Sequence, residues 1–131
     1  MSAQLIGIDT GFFFSLQEGN TEAIGVMNSD ATLISSTVVL SEVLRHIIRG
    51  RVASELSNLL KEAIVWVPVK EGEAEEAARI SHGTGMPLVD SLILASLLRG
   101  GCSVIYTTDG HLESFGKKGL NIVNLRKQAK E

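Results

Sequence analysis

Five short β-rich runs punctuate the chain, at Gln4–Ile8, Ala31–Ser35, Ile64–Val67, Ser103–Thr107 and Asn121–Leu125, and each gap between them holds at least one helix-patterned segment. Strands that alternate with helices are joined by crossovers, and crossovers lay strands parallel with helices over both faces of the sheet. The pattern therefore predicts an α/β fold built on a mostly parallel sheet.

The helical segments carry their own start and stop signals. Thr10–Gln17 is followed by Gly19-Asn20, and Thr21–Asn28 forms a second short helix. Thr37–Arg49 has Ser36 in the N-cap position and Gly50 beyond its end. Val52–Ala63 reads as a further helix before the third strand, which Pro68 closes. Glu71–His82 crowds acidic residues into its first turns, where the helix dipole favours them, and Gly83-Thr84-Gly85 is expected to break it. Pro87 suits the first turn of a long apolar helix running to Arg99 and ended by Gly100-Gly101. Gly110–Phe115 is a short helix, and the charged tail from Arg126 to Glu131 is expected to fray. No repeat, linker or low-complexity stretch interrupts the 131 residues, so one domain over residues 1–131 is expected.

With 44% hydrophobic and 21% charged residues, the chain has an ordinary globular balance. Its one cysteine, Cys102, allows no disulfide within the chain and suits a reducing compartment; following Gly100-Gly101 at a strand start, it fits a buried structural role. The opening MSAQLIGID lacks the basic and apolar regions of a signal peptide, and no apolar run approaches the roughly 20 residues of a membrane span. A cytoplasmic protein with no membrane partner is expected. The net charge of −3 argues against holding nucleic acid by bulk electrostatics, so an RNA-binding role would call on bound cations.

In an open α/β sheet, ligands bind beyond the carboxyl ends of the strands. Asp9 follows the first strand and Asp109 the fourth. Both positions also open helices, and N-capping alone accounts for an Asp there. Asp90 stands near the start of a helix that is apolar nearly all round, and shares a side with Leu94 and Leu97. A carboxylate in that setting is paired, metal-bound or partly exposed at the helix end. Glu42 lies outside the apolar stripe of its helix, beside Arg45, His46 and Arg49, and an exposed ion pair one turn on is a sufficient account of it. Periodicity does not bring these four together.

Four segments in order supply a further source. LIGIDTGFF is an early strand ending in Asp, and ISSTVVLSEVLRHI a β-to-helix segment with an internal Glu. MPLVDSLILASLL is a helix opening with Asp in an apolar setting, and VIYTTDGHLESF a strand ending in T-x-D before a short helix. Together, over almost the whole chain, they resemble the PIN-domain family, and especially its small toxin ribonucleases of the VapC type. The resemblance implies a three-layer α/β/α domain with a central five-stranded parallel sheet, and convergence of Asp9, Glu42, Asp90 and Asp109 at one end of it. It implies Mg²⁺ or Mn²⁺ held by these acids and hydrolysis of an RNA phosphodiester by in-line water attack, leaving a 5′-phosphate. Asp9 and Asp109 would be direct ligands, Asp90 a ligand directly or through water, and Glu42 would orient the water or complete a second metal. Thr107, the T of T-x-D, and Thr10 would support the site, although a strand-end and a helix-start threonine are also ordinary.

The resemblance also implies a homodimer and a small antitoxin protein that inserts a helix or extended tail beside the acids. Val38–Ile48 and Val52–Leu60 are where a groove for it is expected, though both also read as core helices. One departure stands out. Many members carry another acid two positions after the T-x-D aspartate, where this chain has His111, with Glu113 at a different spacing. This argues against a fifth carboxylate and a tightly held second metal, and His111 is expected at the surface or against RNA rather than as a metal ligand. Arg45, Arg49, Arg51, Lys117 and Lys118 are RNA-binding candidates, with solvated surface charge as the ordinary alternative. Phe12, Phe13 and Phe14 are expected in core or dimer contacts, since consecutive helical residues face different ways.

Competing readings differ in what they require. A housekeeping PIN nuclease of RNA processing would share the site and differ in substrate. A phosphoacceptor signalling domain typically needs adjacent acids after the first strand and a lysine ending the last, and Ile8-Asp9-Thr10 and Asn121–Leu125 supply one acid and no lysine. A non-catalytic PIN binding module fits poorly with a full set of four acids.

Overall fold

The computed structural model describes residues 4–126, with the backbone alone for residues 59–61. Strands β1 (Leu5–Ile8), β2 (Thr32–Ser36), β3 (Ile64–Val67), β4 (Val104–Thr107) and β5 (Asn121–Asn124) form one sheet in the order β3-β2-β1-β4-β5. Every pairing is parallel. From β1 the chain winds outward through β2 to β3, then returns to the other side of β1 for β4 and β5. The reversal puts the topological switch point between β1 and β4, where side chains at the strand ends face a crevice. Asp9 and Asp109 follow those two strands.

Ile6, Gly7 and Ile8 of β1, and Leu33 to Ser36 of β2, are buried in succession. Successive strand residues point to opposite faces, so the sheet is covered on both sides and the domain has three layers, α/β/α. The helices are α1 (Thr10–Gln17), α2 (Thr21–Met27), α3 (Thr37–Ile48), α4 (Leu56–Ala63), α5 (Glu71–Thr84), α6 (Leu88–Arg99) and α7 (Gly110–Glu113). Phe12 and Phe13 are fully buried and meet edge to face at 5.8 Å. Phe14 is half-buried and turns its edge to His46 at 4.8 Å. Buried hydroxyls are satisfied: Ser35 Oγ donates to Ile8 O at 2.6 Å, and Ser36 Oγ to Ser96 Oγ at 3.0 Å, tying β2 to β1 and to α6.

Element ends differ from the sequence reading in instructive places. The helix expected from Val52 begins at Leu56. The Gln17 side chain intervenes, with Nε2 donating to Arg51 O at 3.1 Å and Oε1 accepting from Ala53 N at 2.8 Å. These bonds fasten the loop at residues 51–53 to the end of α1 ahead of the helix. The helix expected to break at Gly83 continues to Thr84, because only Gly85, at φ 77°, takes the left-handed conformation that ends it. The short helix at Gly110 stops at Glu113 rather than Phe115. In α6, Ile93 to Leu97 are buried all round as expected, but Leu88 and Val89 are 55% and 48% exposed. The apolar helix therefore emerges from the core at the turn that carries Asp90. Lys127–Glu131, most of the tail expected to fray, lie outside the described residues. Among those residues no helix is long and apolar enough to cross a membrane.

Candidate active site

Asp9 enters the site because β1 ends in the core. It caps α1, accepting from Phe12 N at 3.2 Å, and is only 4% exposed. Its second oxygen, Oδ2, accepts a hydrogen bond from Thr107 Oγ1. Thr107 is wholly buried at the end of β4, and the same hydroxyl accepts from Asp109 N at 2.9 Å. One threonine thus orients the Asp9 carboxylate and fixes the backbone of Asp109. Asp109 caps α7 in turn, its Oδ1 accepting from His111 N at 2.7 Å.

Glu42 does not make the exposed ion pair that its helix position suggested as an alternative. It is half-buried, and its Oε1 accepts from Thr10 Oγ1 at 2.6 Å across the gap between α3 and α1. Asp90 keeps 22% of its side chain exposed at the emerging end of α6. The acids act on one another. Burial, opposed by the bonds from Thr107 and Phe12 but aided by the Asp109 charge, pushes Asp9 up to about 7. Burial, aided by the neighbouring Asp109 carboxyl and opposed by His111, pushes Asp90 up to about 6. Cys102 plays no part: burial pushes its thiol up to about 11, and its Sγ packs against Gly7.

Asp9, Glu42, Asp90 and Asp109 line a single cavity of about 250 Å³, shared with Thr10 and Phe14. Thr107 lies behind it, bonded to Asp9. The basic candidates are elsewhere. Arg45, Arg49, Arg51 and Lys118 are exposed and outside the cavity lining, and Lys117 lines a separate hollow beside Glu73 and Arg99. Among the described residues, the basic one lining the cavity is Arg126, at the start of the charged tail. It follows β5 by two residues, so the rule of strand carboxyl ends that picks out Asp9 and Asp109 reaches it as well. Its backbone is held by a bond from Arg126 N to Asn124 Oδ1 at 2.9 Å. Glu113 meets Asn124 Nδ2 at 3.4 Å and is not in the cavity lining.

Four carboxylates around one cavity, two of them with raised affinity for protons, are a set of hard oxygen donors short of positive charge. That donor set fits a divalent cation such as Mg²⁺ or Mn²⁺. Among the described residues, Asp90, Asp109 and His111 offer donor atoms within 4.8 Å of one another.

Residues 6–118 match the family model of the PIN domain. No curated protein sequence matches the chain. Its fold is similar to a toxin–antitoxin complex from Klebsiella pneumoniae, with a TM-score of 0.72 at 17% identity over 94% of this chain and 98% of that one. It is also similar to VapBC2 from Rickettsia felis, solved with a fragment of promoter DNA, with a TM-score of 0.68 at 13% identity over 92% and 98% of the two chains. Mycobacterium tuberculosis VapC20, a toxin that cleaves the Sarcin-Ricin loop, aligns with a TM-score of 0.66 at 19% identity over 88% of this chain and 98% of its own.

Proposed function

Since the chain belongs to the PIN-domain family, whose members are generally nucleases that use divalent metals, we propose that it is a metal-dependent endoribonuclease and the toxin of a type II toxin–antitoxin pair. The observation that carries the nuclease reading is the meeting of Asp9, Glu42, Asp90 and Asp109 in one cavity at the switch point of the sheet. Asp9, Asp90 and Asp109 would hold Mg²⁺ or Mn²⁺, with Glu42 completing the set. When bound, such a cation lowers the pKa of a coordinated water and stabilises charge on the phosphate being cleaved.

The chain's own residues supply orientation. The Thr107 hydroxyl fixes the rotation of the Asp9 carboxylate. Thr10 holds Glu42 with one oxygen engaged and the other available to accept a hydrogen bond from the attacking water. Arg126 at the cavity is set to meet a phosphate of the substrate strand. The product is expected to carry a 5′-phosphate. The toxin assignment draws on the likeness to toxin–antitoxin proteins. A small antitoxin would cover apolar residues such as Leu44 and Ile48 on α3, which are 36% and 85% exposed, and two copies of the chain would form the working dimer in the cytoplasm.

The test is cleavage of a structured RNA mixture by the purified chain with Mg²⁺, Mn²⁺ or EDTA. Cutting should need the metal, and Asp9→Asn and Asp90→Asn should each lower it by about a hundredfold or more, as loss of a metal ligand does. Metal-dependent cutting that survives either substitution would sink the site assignment.

A further inference from the structure

The His111 side chain is 61% exposed, yet its Nδ1 faces the acids, 3.1 Å from Asp109 Oδ1 and 3.7 Å from Asp90 Oδ2. Two donors on one octahedral ion at about 2.1 Å stand about 3 Å apart when adjacent and about 4.2 Å apart when opposite. The 3.1 Å between the ring nitrogen and Asp109 is the spacing of adjacent donors, and the 3.7 Å to Asp90 lies between the adjacent and opposite values. Its backbone is held as well, since His111 N donates to the same Asp109 oxygen at 2.7 Å. Resting on the reading of these carboxylates as a divalent-cation site, we propose that His111 Nδ1 is a ligand of that cation and biases the site towards Mn²⁺ over Mg²⁺.

The bias follows from the donor. Mg²⁺ prefers oxygen and gives up its waters reluctantly, so a nitrogen contributes little to its binding. Mn²⁺ also favours oxygen, but as a larger transition-metal ion it accepts an imidazole in place of a water more readily than Mg²⁺ does. Ligation through Nδ1 puts the ring proton on Nε2 and replaces the contact with Asp109. The competing role for His111 is to orient Asp109 by hydrogen bonding alone, a support common around metal ligands.

The two roles separate in the spectrum of bound Mn²⁺. The metal-free full chain is titrated with Mn²⁺, following loss of the free-ion electron paramagnetic resonance signal. Electron spin-echo modulation of the bound ion then reads any directly coordinated ¹⁴N. Bound Mn²⁺ should show ¹⁴N coupling in the wild type and none in His111→Ala, which assigns the nitrogen among the three histidines. Mn²⁺ affinity should fall about tenfold or more in His111→Ala. Mg²⁺ affinity, read by competition, should change by less than about threefold. His111→Asp should bind both ions and narrow the preference for Mn²⁺. Since the side chain is mostly exposed, both variants are expected to keep the wild-type circular dichroism. Mn²⁺ bound without ¹⁴N coupling, or with coupling that survives His111→Ala, overturns the ligand and leaves the carboxylate site standing. Failure of the folded wild type to bind Mn²⁺ overturns both.

Discussion

Asp9 holds the sharpest conflict among the side chains. A carboxylate that is 4% exposed costs free energy to ionise, and its pKa of about 7 reflects that cost after the help of Thr107 and Phe12. In the unfolded chain an aspartate ionises near pH 3.9. A folded-state pKa above the unfolded one means that folding favours the protonated acid. Its contribution to stability is full below about pH 4 and is lost as pH rises through about 7. In EDTA the protein should therefore melt lower at pH 8 than at pH 5.5. Asp9→Asn cannot ionise, so its melting temperature relative to wild type should rise by several degrees over the same interval. Thermal melts at the two pH values decide this, and a difference constant with pH would remove Asp9 from the role of buried acid. Asp90, pushed the same way to about 6, should leave part of the slope in the variant.

Between elements, α1 stands close against Thr108, just beyond β4. A Cβ on Gly11 would lie 2.0 Å from Thr108 Oγ1 and 2.9 Å from Thr108 Cβ. Glycine is required there by space, and the contact sets how Asp9 at the start of α1 stands relative to Asp109 beyond β4. Gly11→Ala should cost about 1–3 kcal/mol, as overpacking does, and weaken Mn²⁺ binding by shifting one carboxylate against the other. Thr108→Ala in the same chain should restore part of both, because it removes the nearest atom. Urea unfolding and Mn²⁺ titration of the single and double variants would measure the coupling, and strictly additive effects would rule the contact out as the cause.

For the molecule as a whole, a net charge of −3 and an acidic cavity oppose the approach of a polyanion. Among the described residues, Arg126 is the basic residue at that cavity and Phe14 the aromatic one. Binding of RNA to the Asp90→Asn protein, read by fluorescence anisotropy, should weaken several-fold on adding Arg126→Ala. The dependence of log affinity on log salt should become shallower by about one phosphate contact. Mn²⁺ affinity of the Arg126→Ala single variant should not fall, since the side chain removed is itself a cation. An unchanged salt slope would place the phosphate contact on another side chain, with Arg45, Arg49 and Arg51 the next to test.

Local patterning encodes the elements and their ends. The alternation of strands and helices dictated a parallel α/β sheet, and Asp9 and Asp109 could be put at strand ends because a strand's end is a local event. Caps at Asp9 and Ser36 and the stop at Gly50 were legible for the same reason. Resemblance named Glu42, whose place on its helix had a sufficient local explanation, whereas the apolar helix around Asp90 already pointed to a paired, metal-bound or partly exposed carboxylate. Tertiary structure decided the rest. The position of Glu42 depends on Thr10 reaching it from α1, the placing of the loop before α4 on Gln17 reaching Ala53, and the exposure of Asp90 on where α6 leaves the core. The inward turn of His111 and the arrival of Arg126 at the cavity depend on the strand order that lays β4 beside β1 and β5 beside β4. Periodicity reports the face a residue takes on its own element, whereas a site made from residues far apart in the chain exists only once the elements have packed.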